Sequence, residues 1–297
     1  MNKTTRAYLE MHLAVLLFGF TAILGALIQL PAISIVWWRV LLTCISIVFL
    51  MQVRSIFTRL SYQQILQFMG IGVLVGSHWV CFYGSIKLAN ASVALICMAT
   101  TALFTSFLEP LLFRRAVRWY EVVLGLMIIP GMYLIVDSLE SGMLLGVWVG
   151  LLSAFLASLF ATLNKKVITN ARPFAITFLE LGSAWLFLTL LFPFYLQTNE
   201  NVAFVPPSLA DWFYLLALAL LCTTLAYSLS LRALHHISAF ASNLSLNLEP
   251  VYGILLAWVL LNENEELSDN FYYGVLLILL TVFSYPLLRK WFMVGKE

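Results

Sequence analysis

Long apolar runs separated by short polar breaks set the pattern of this chain. A helix that crosses a bilayer needs about 20 consecutive, mostly apolar residues. Ten runs approach or exceed that length: 8–28, 33–53, 65–86, 91–113, 119–136, 143–164, 174–196, 209–231, 238–260 and 270–288. Lipid leaves no partner for an unpaired backbone group, so continuous runs of this kind predict helices rather than open strands. Most connections are short, and the longest, 197–208, carries Pro206-Pro207. The first run is too long for a signal-peptide core and has no small-residue cleavage site, so it is read as a retained span.

Charge placement tests this map. With the N-terminus inside and ten crossings, 14 of the 16 basic residues fall inside, the exceptions being Arg39 within the second run and Lys87 in an outer loop. The acids Asp137, Glu140, Glu200, Asp211, Glu263, Glu265, Glu266 and Asp269 fall outside. That asymmetry follows the positive-inside rule and predicts a multi-pass protein of the cytoplasmic membrane with both termini cytoplasmic.

Composition agrees. The chain is 62% hydrophobic and 10% charged, with mean hydropathy +0.97, against about a quarter charged in soluble domains. A net charge of +2 without a basic patch argues against nucleic acid as a partner. Cys44, Cys81, Cys97 and Cys222 lie in apolar runs with no C-x-x-C pairing, so buried thiols are expected, and no metal or cofactor.

The chain looks doubled. Tyr83 precedes Lys87 in the third run as Tyr227 precedes Arg232 in the eighth, and the next runs open on Ala91-Ser92 and Ser238-Ala239. Glu109-Pro110 and Glu249-Pro250 follow, though 17 residues separate Ser92 from Glu109 and only 11 separate Ser238 from Glu249. Trp119-Tyr120 with Gly125, and Tyr272-Tyr273 with Gly274, open the fifth and tenth runs. Halves of five helices, 1–138 and 139–297, must enter the membrane in opposite senses. The expected fold is an all-α integral membrane protein of ten transmembrane helices in two inverted repeats, an arrangement typical of secondary transporters.

At this point the sequence resembles the drug/metabolite transporter superfamily, and within it the EamA-type exporters. The residues that carry the resemblance are Leu17-Phe18-Gly19-Phe20 in the first helix, Trp37-Trp38-Arg39 in the second, and Glu249-Pro250 followed by Asn262-Glu263 in the ninth. The first half departs from the pattern: Phe104 stands where a proline would align, and Arg114-Arg115 near where a glutamate would fall. The resemblance implies a central cavity surrounded by the first four helices of each half, with the fifth and tenth at the periphery. It also implies export of amino acids or related metabolites, or transport of other small solutes, without fixing the substrate.

Charges inside the bilayer cost roughly 2.5–3.5 kcal/mol each on insertion scales and mark candidate sites. Glu249 shares a helical face with Ser242 and Ser245, beside the stripe Asn243 and Asn247. That face reads either as cavity lining or as polar glue between helices. Glu109 reads either as a proton carrier or as a carboxylate paired with Arg114 and Arg115 near the inner surface. A carboxylate in a dry pocket can take up a proton, and Glu109 and Glu249 are the first choices if protons are coupled. Arg39 can grip a substrate carboxylate with two hydrogen bonds, or serve in a structural ion pair. Trp79 and Tyr83 share a face and suit a substrate wall or plain packing, and Tyr227 is a weaker candidate of the same kind. His78 reads as a buried hydrogen-bonded histidine or a relay, and Glu180 as a structural partner of Lys165 or Lys166 or a polar-cavity group. Trp37, Trp119, Trp212 and Trp291 lie near span ends as interfacial anchors.

No H-E-x-x-H or G-x-S-x-G motif occurs, which argues against an enzyme. Short loops without an appended domain argue against a receptor. The expected activity is secondary transport of an amino acid or related metabolite, with a proton as coupling ion. The alternative is efflux of drugs or cationic compounds. The other expected partners are membrane lipid and, left open, a second copy of the chain.

Overall fold

The computed structural model describes residues 3–50, 60–114, 116–117, 119–167, 173–198, 203–234, 236, 245–246, 248–263 and 267–294, and every regular element among them is helical. The helices are α1 (Lys3–Leu27), α2 (Ala32–Leu50), α3 (Tyr62–Leu88), α4 (Ala91–Ala99), α5 (Thr101–Phe113), α6 (Trp119–Leu126) and α7 (Ile128–Ser138). They continue with α8 (Leu144–Val167), α9 (Pro173–Thr198), α10 (Leu209–Ala219), a π-helical segment (Leu220–Leu225), α11 (Ala226–Leu234), α12 (Glu249–Leu261) and α13 (Asp269–Val294).

Seven runs among the described residues are long and apolar enough to cross a membrane: Lys3–Leu27, Ala32–Leu50, Tyr62–Leu88, Ala91–Phe113, Ser141–Val167, Phe174–Gln197 and Leu209–Ser230. Ile128–Ser138, Glu249–Leu261 and Asp269–Thr281 are shorter apolar helices. Large apolar side chains such as Phe49, Leu111, Leu190 and Val259 stand exposed on the outside, where only lipid could cover them.

Three interruptions modify the expected spans. The fourth run breaks at Thr100, where the hydroxyls of Thr100 and Thr101 donate to the carbonyls of Cys97 and Met98 and compete with the helical ladder. The fifth breaks at Met127, because Pro130 has no N–H for the carbonyl of Leu126. In the ninth, where residues 237–244 and 247 lie outside the described ones, a turn at Leu248 separates helical Ser245 and Leu246 from the helix that begins at Glu249. Pro250 therefore occupies its first turn, where the missing N–H costs nothing. Glu249 stands at a helix start rather than at mid-helix, where its charge suits the helix dipole.

The helices pack α3 against α8 and α9, α2 against α9 and α10, α1 against α11 and α12, α5 against α8, α4 against α12, and α7 against α13. Polar contacts fasten the ends. Where α1 finishes, Lys87 donates to the carbonyls of Ala26 and Ile28, and Asp211 accepts from the backbone N–H of Gln29 at 2.7 Å. Lys87 thus satisfies the last carbonyls of α1, which accounts for a cation on the acidic side of the charge map. At the opposite end Lys165 meets Glu109 at 2.7 Å and Lys166 donates to the carbonyl of Leu112.

The α7–α13 contact is a glycine notch. A Cβ on Gly131 would lie 2.8 Å from the carbonyl oxygen of Gly274, and one on Gly274 would lie 2.6 Å from that of Gly131. Each glycine also receives the other helix's isoleucine, Ile278 against Gly131 and Ile135 against Gly274. The two helices carry the same Gly-x-x-x-Ile motif and cross antiparallel. Gly125, earlier in the same run, instead lets Leu103 approach. Gly131→Leu is expected to destabilise the protein by about 1–3 kcal/mol through overpacking, read as a lower melting temperature in detergent.

Candidate functional site

Arg39 is the focus of the polar interior. It is 4% exposed and sits two turns into α2. Its Nε donates to Thr223 Oγ1 at 3.0 Å and its Nη1 to the Tyr83 hydroxyl at 2.7 Å. The guanidinium lies 4.0 Å from the centre of the Trp79 ring, a cation–π contact that strengthens away from water. Among the described residues Arg39 forms no ion pair, so the expected alternative of a structural acid partner is not realised there. Its hydrogen-bond partners are neutral, and among the described residues no acid contacts its positive charge.

Each partner is placed by its own local structure. Tyr83 is wholly buried, and Gly25 of α1 makes room for its ring, since any Cβ there would overlap it. Its hydroxyl, buried with the ring, accepts from Arg39. Thr223 lies in the π-helical segment, where its hydroxyl donates to the carbonyl of Leu218, five residues back, at 2.8 Å. Thr224 does the same to Ala219 and also meets Ser46 of α2 at 2.7 Å. A widened turn of this kind frequently occurs at functional sites, and here it turns two hydroxyls toward α2.

Trp37 and Trp38, which directly precede Arg39, belong to an aromatic cluster. Trp38 Nε1 donates to the Phe204 carbonyl, and the Phe204 ring packs on both tryptophans and on Phe192. Trp212 stacks edge-on against Trp38. Trp37 and Trp212 are therefore parts of an internal cluster as well as span-end residues. The side chains of Trp119 and Trp291 lie outside the described residues.

His78 is buried and cross-links α3 to α8. Its Nδ1 lies 2.9 Å from both the carbonyl and the hydroxyl oxygen of Ser153, and that hydroxyl donates back to the His78 carbonyl at 3.0 Å. Bonding to a carbonyl assigns the proton to Nδ1. Tyr227 and Glu249 are partly accessible and within electrostatic reach of Arg39. Tyr227 also packs edge-on against Phe18. Gly19 lets α1 approach the backbone of Gly253, fixing the turn that carries Glu249.

The EamA-like transporter family model matches residues 5–137 and 144–285. The chain belongs to the EamA-like transporter family. Members of this family, in the drug/metabolite transporter superfamily, are transporters rather than enzymes, and this one is a multi-pass membrane protein with a small-molecule substrate. Seventeen chains of solved structures match the transporter. One, described only as a crystal structure of a protein, superposes with TM-score 0.63 at 16% identity, covering 96% of this chain and 97% of its own. That likeness shows a shared fold. No curated protein sequence matches.

In the transporter neither lysine meets Glu180 as expected, while Arg115, one of the cations expected beside Glu109, lies outside the described residues. Lys165 pairs with Glu109, across from α8 to α5, and Lys166 is taken by the Leu112 carbonyl. Glu180 instead approaches Asn164 and is 8% exposed. Arg114 ends α5 in a left-handed conformation, φ 52°, as Asn262 ends α12 at φ 56°. Asn243, Asn247 and Ser242 lie outside the described residues. Thr223, Ser153 and Asn164 were not singled out from sequence. The adjacent Thr223-Thr224 pair inside an apolar helix is the one signal that could have found the first.

Proposed function

We propose that this protein exports amino acids or related carboxylate-bearing metabolites across the cytoplasmic membrane, with Arg39 gripping the carboxylate. The observation that carries this reading is the buried guanidinium, held in place by Tyr83, Thr223 and Trp79 with no acid in contact among the described residues. A bidentate carboxylate would supply the missing counter-charge. Glu249 and Tyr227, partly accessible nearby, are assigned to the far side of the solute, where a carboxylate suits an α-ammonium group. Asn243 and Asn247 are assigned to the same polar face.

The reading takes the fold as ten spans in two inverted halves, 1–138 and 139–297, with both termini cytoplasmic. The packing supports the relation between the halves. Exchanging the halves turns the α3–α8 contact into α11–α1, α5–α8 into α12–α1, and α3–α9 into α10–α2, and leaves α2–α9 and α7–α13 as themselves.

The test is counterflow in proteoliposomes with labelled zwitterionic and anionic amino acids, their carboxamides and a cationic dye. Saturable exchange of the acids and none of the carboxamides is expected. Exchange of the dye alone would replace this reading with cationic drug efflux.

A further inference from the structure

Glu180 of α9 is nine-tenths buried, and its Oε1 has no hydrogen-bond partner. Asn164 of α8 approaches the carboxyl group, and its own Oδ1 is likewise buried without a partner. Two orphaned acceptors of adjacent side chains cannot satisfy each other. Each such group costs about 1–3 kcal/mol when left unpaired.

Among the described residues the surroundings supply no other donor. Gly72 of α3 brings that helix against the Glu180 backbone, so closely that a Cβ would overlap it. Ser183, one turn on, donates to the carbonyls of Met69 and Glu180 rather than to the carboxyl. The cations of the adjoining helix end are engaged elsewhere, Lys165 with Glu109 and Lys166 with Leu112. On the π–α11 side Tyr227 lies within electrostatic reach of Glu180 as well as of Glu249 and Arg39. From α3, His78 engages Ser153 through its Nδ1.

We propose that Glu180 and Asn164 form the proton-binding site of the transporter, the proton on Glu180 Oε1 being donated to Asn164 Oδ1. One added proton converts an acceptor into a donor, resolves both orphans and cancels a buried charge. No covalent step is involved: the carboxylate gains a proton from water on one side and releases it to water on the other. Such a carboxyl changes its charge as the site opens and closes, which couples a proton to each transport cycle. This inference rests on the transport reading above and adds to it a coupling residue that is distinct from Arg39.

Two measurements decide it. Wild-type protein and Glu180→Gln are reconstituted with the best-exchanged amino acid of the panel, and assayed for counterflow and for accumulation under a pH gradient. A gradient of about one unit allows up to about tenfold accumulation per proton coupled. Wild type is expected to accumulate the amino acid toward that limit. Glu180→Gln is expected to keep counterflow within about twofold and to lose the accumulation. Equal accumulation by the variant, loss of its counterflow as well, or pH-insensitive wild type would each overturn the proposal. If no amino acid exchanges at all, the substrate reading has failed, and the second measurement stands alone. Infrared titration of the purified wild-type protein should show a protonated carboxyl band that is absent in Glu180→Gln and displaced in Asn164→Leu. An identical band in all three proteins would overturn the site.

Discussion

Arg39→Ala is expected to cut amino-acid exchange at least 30-fold in kcat/KM, with the protein still folded. Truncating one partner of a buried, hydrogen-bonded charge pair costs about 2–5 kcal/mol, and the lower bound corresponds to that factor. Arg39→Lys should recover little, because an ammonium lacks the planar fork that engages both carboxylate oxygens. The side chains that hold the guanidinium should matter less. Tyr83→Phe and Thr223→Ala each remove one hydrogen bond to Arg39, worth about 1 kcal/mol, and should raise KM several-fold while exchange persists. Counterflow kinetics on the three sets of variants check this ordering. Unchanged exchange in Arg39→Ala would detach the substrate from this residue and leave the fold intact.

The second large effect falls on stability. Glu263 follows the left-handed end of α12, is 5% exposed, and accepts from the backbone N–H groups of Ala91 and Ser92 at 2.9 and 2.8 Å. Its charge sits at the positive end of α4, and Asn90 caps the next N–H at Val93. Glu263→Ala would strand two buried N–H groups and undo a tie between α12 and α4. A loss of about 2–4 kcal/mol is expected from two orphaned donors, seen as a clear fall in melting temperature in detergent. Glu263→Gln keeps one acceptor oxygen and should lose about half as much. A Glu263→Ala protein that melts like wild type would show that the two N–H groups find other partners. The first half repeats the backbone but not the chemistry, since Arg114 occupies the left-handed position that Asn262 holds in the second.

Hydrophobic run length made the seven long spans legible, because bilayer thickness alone dictates it. The interruptions were hidden because they depend on single hydrogen bonds: hydroxyls at Thr100 and Thr101, and a missing N–H at Pro130. The polar site was half legible. Arg39, Trp79 and Tyr83 stood out as a buried cation and two aromatics at helical spacing, and the structure joins all three. Which carboxylate meets which lysine was not legible, because it depends on how α5, α8 and α9 face one another. Lys165 turned to Glu109, and Glu180 was left beside Asn164. Which glycine of the fifth run packs against Gly274 was not legible either, because Gly125 and Gly131 both offer a notch and only the folded chain brings Gly131 to it.

The widened turn at Leu220–Leu225 holds one more residue than an ordinary helical turn would, and it precedes Tyr227. In a regular helix each residue advances the direction of its successors by about 100°. The surplus residue therefore resets the phase of everything downstream, so that Thr223 can address α2 while Tyr227 meets Phe18 of α1. Straightening that segment would leave its composition almost untouched and swing Tyr227 about a quarter-turn out of line with the guanidinium.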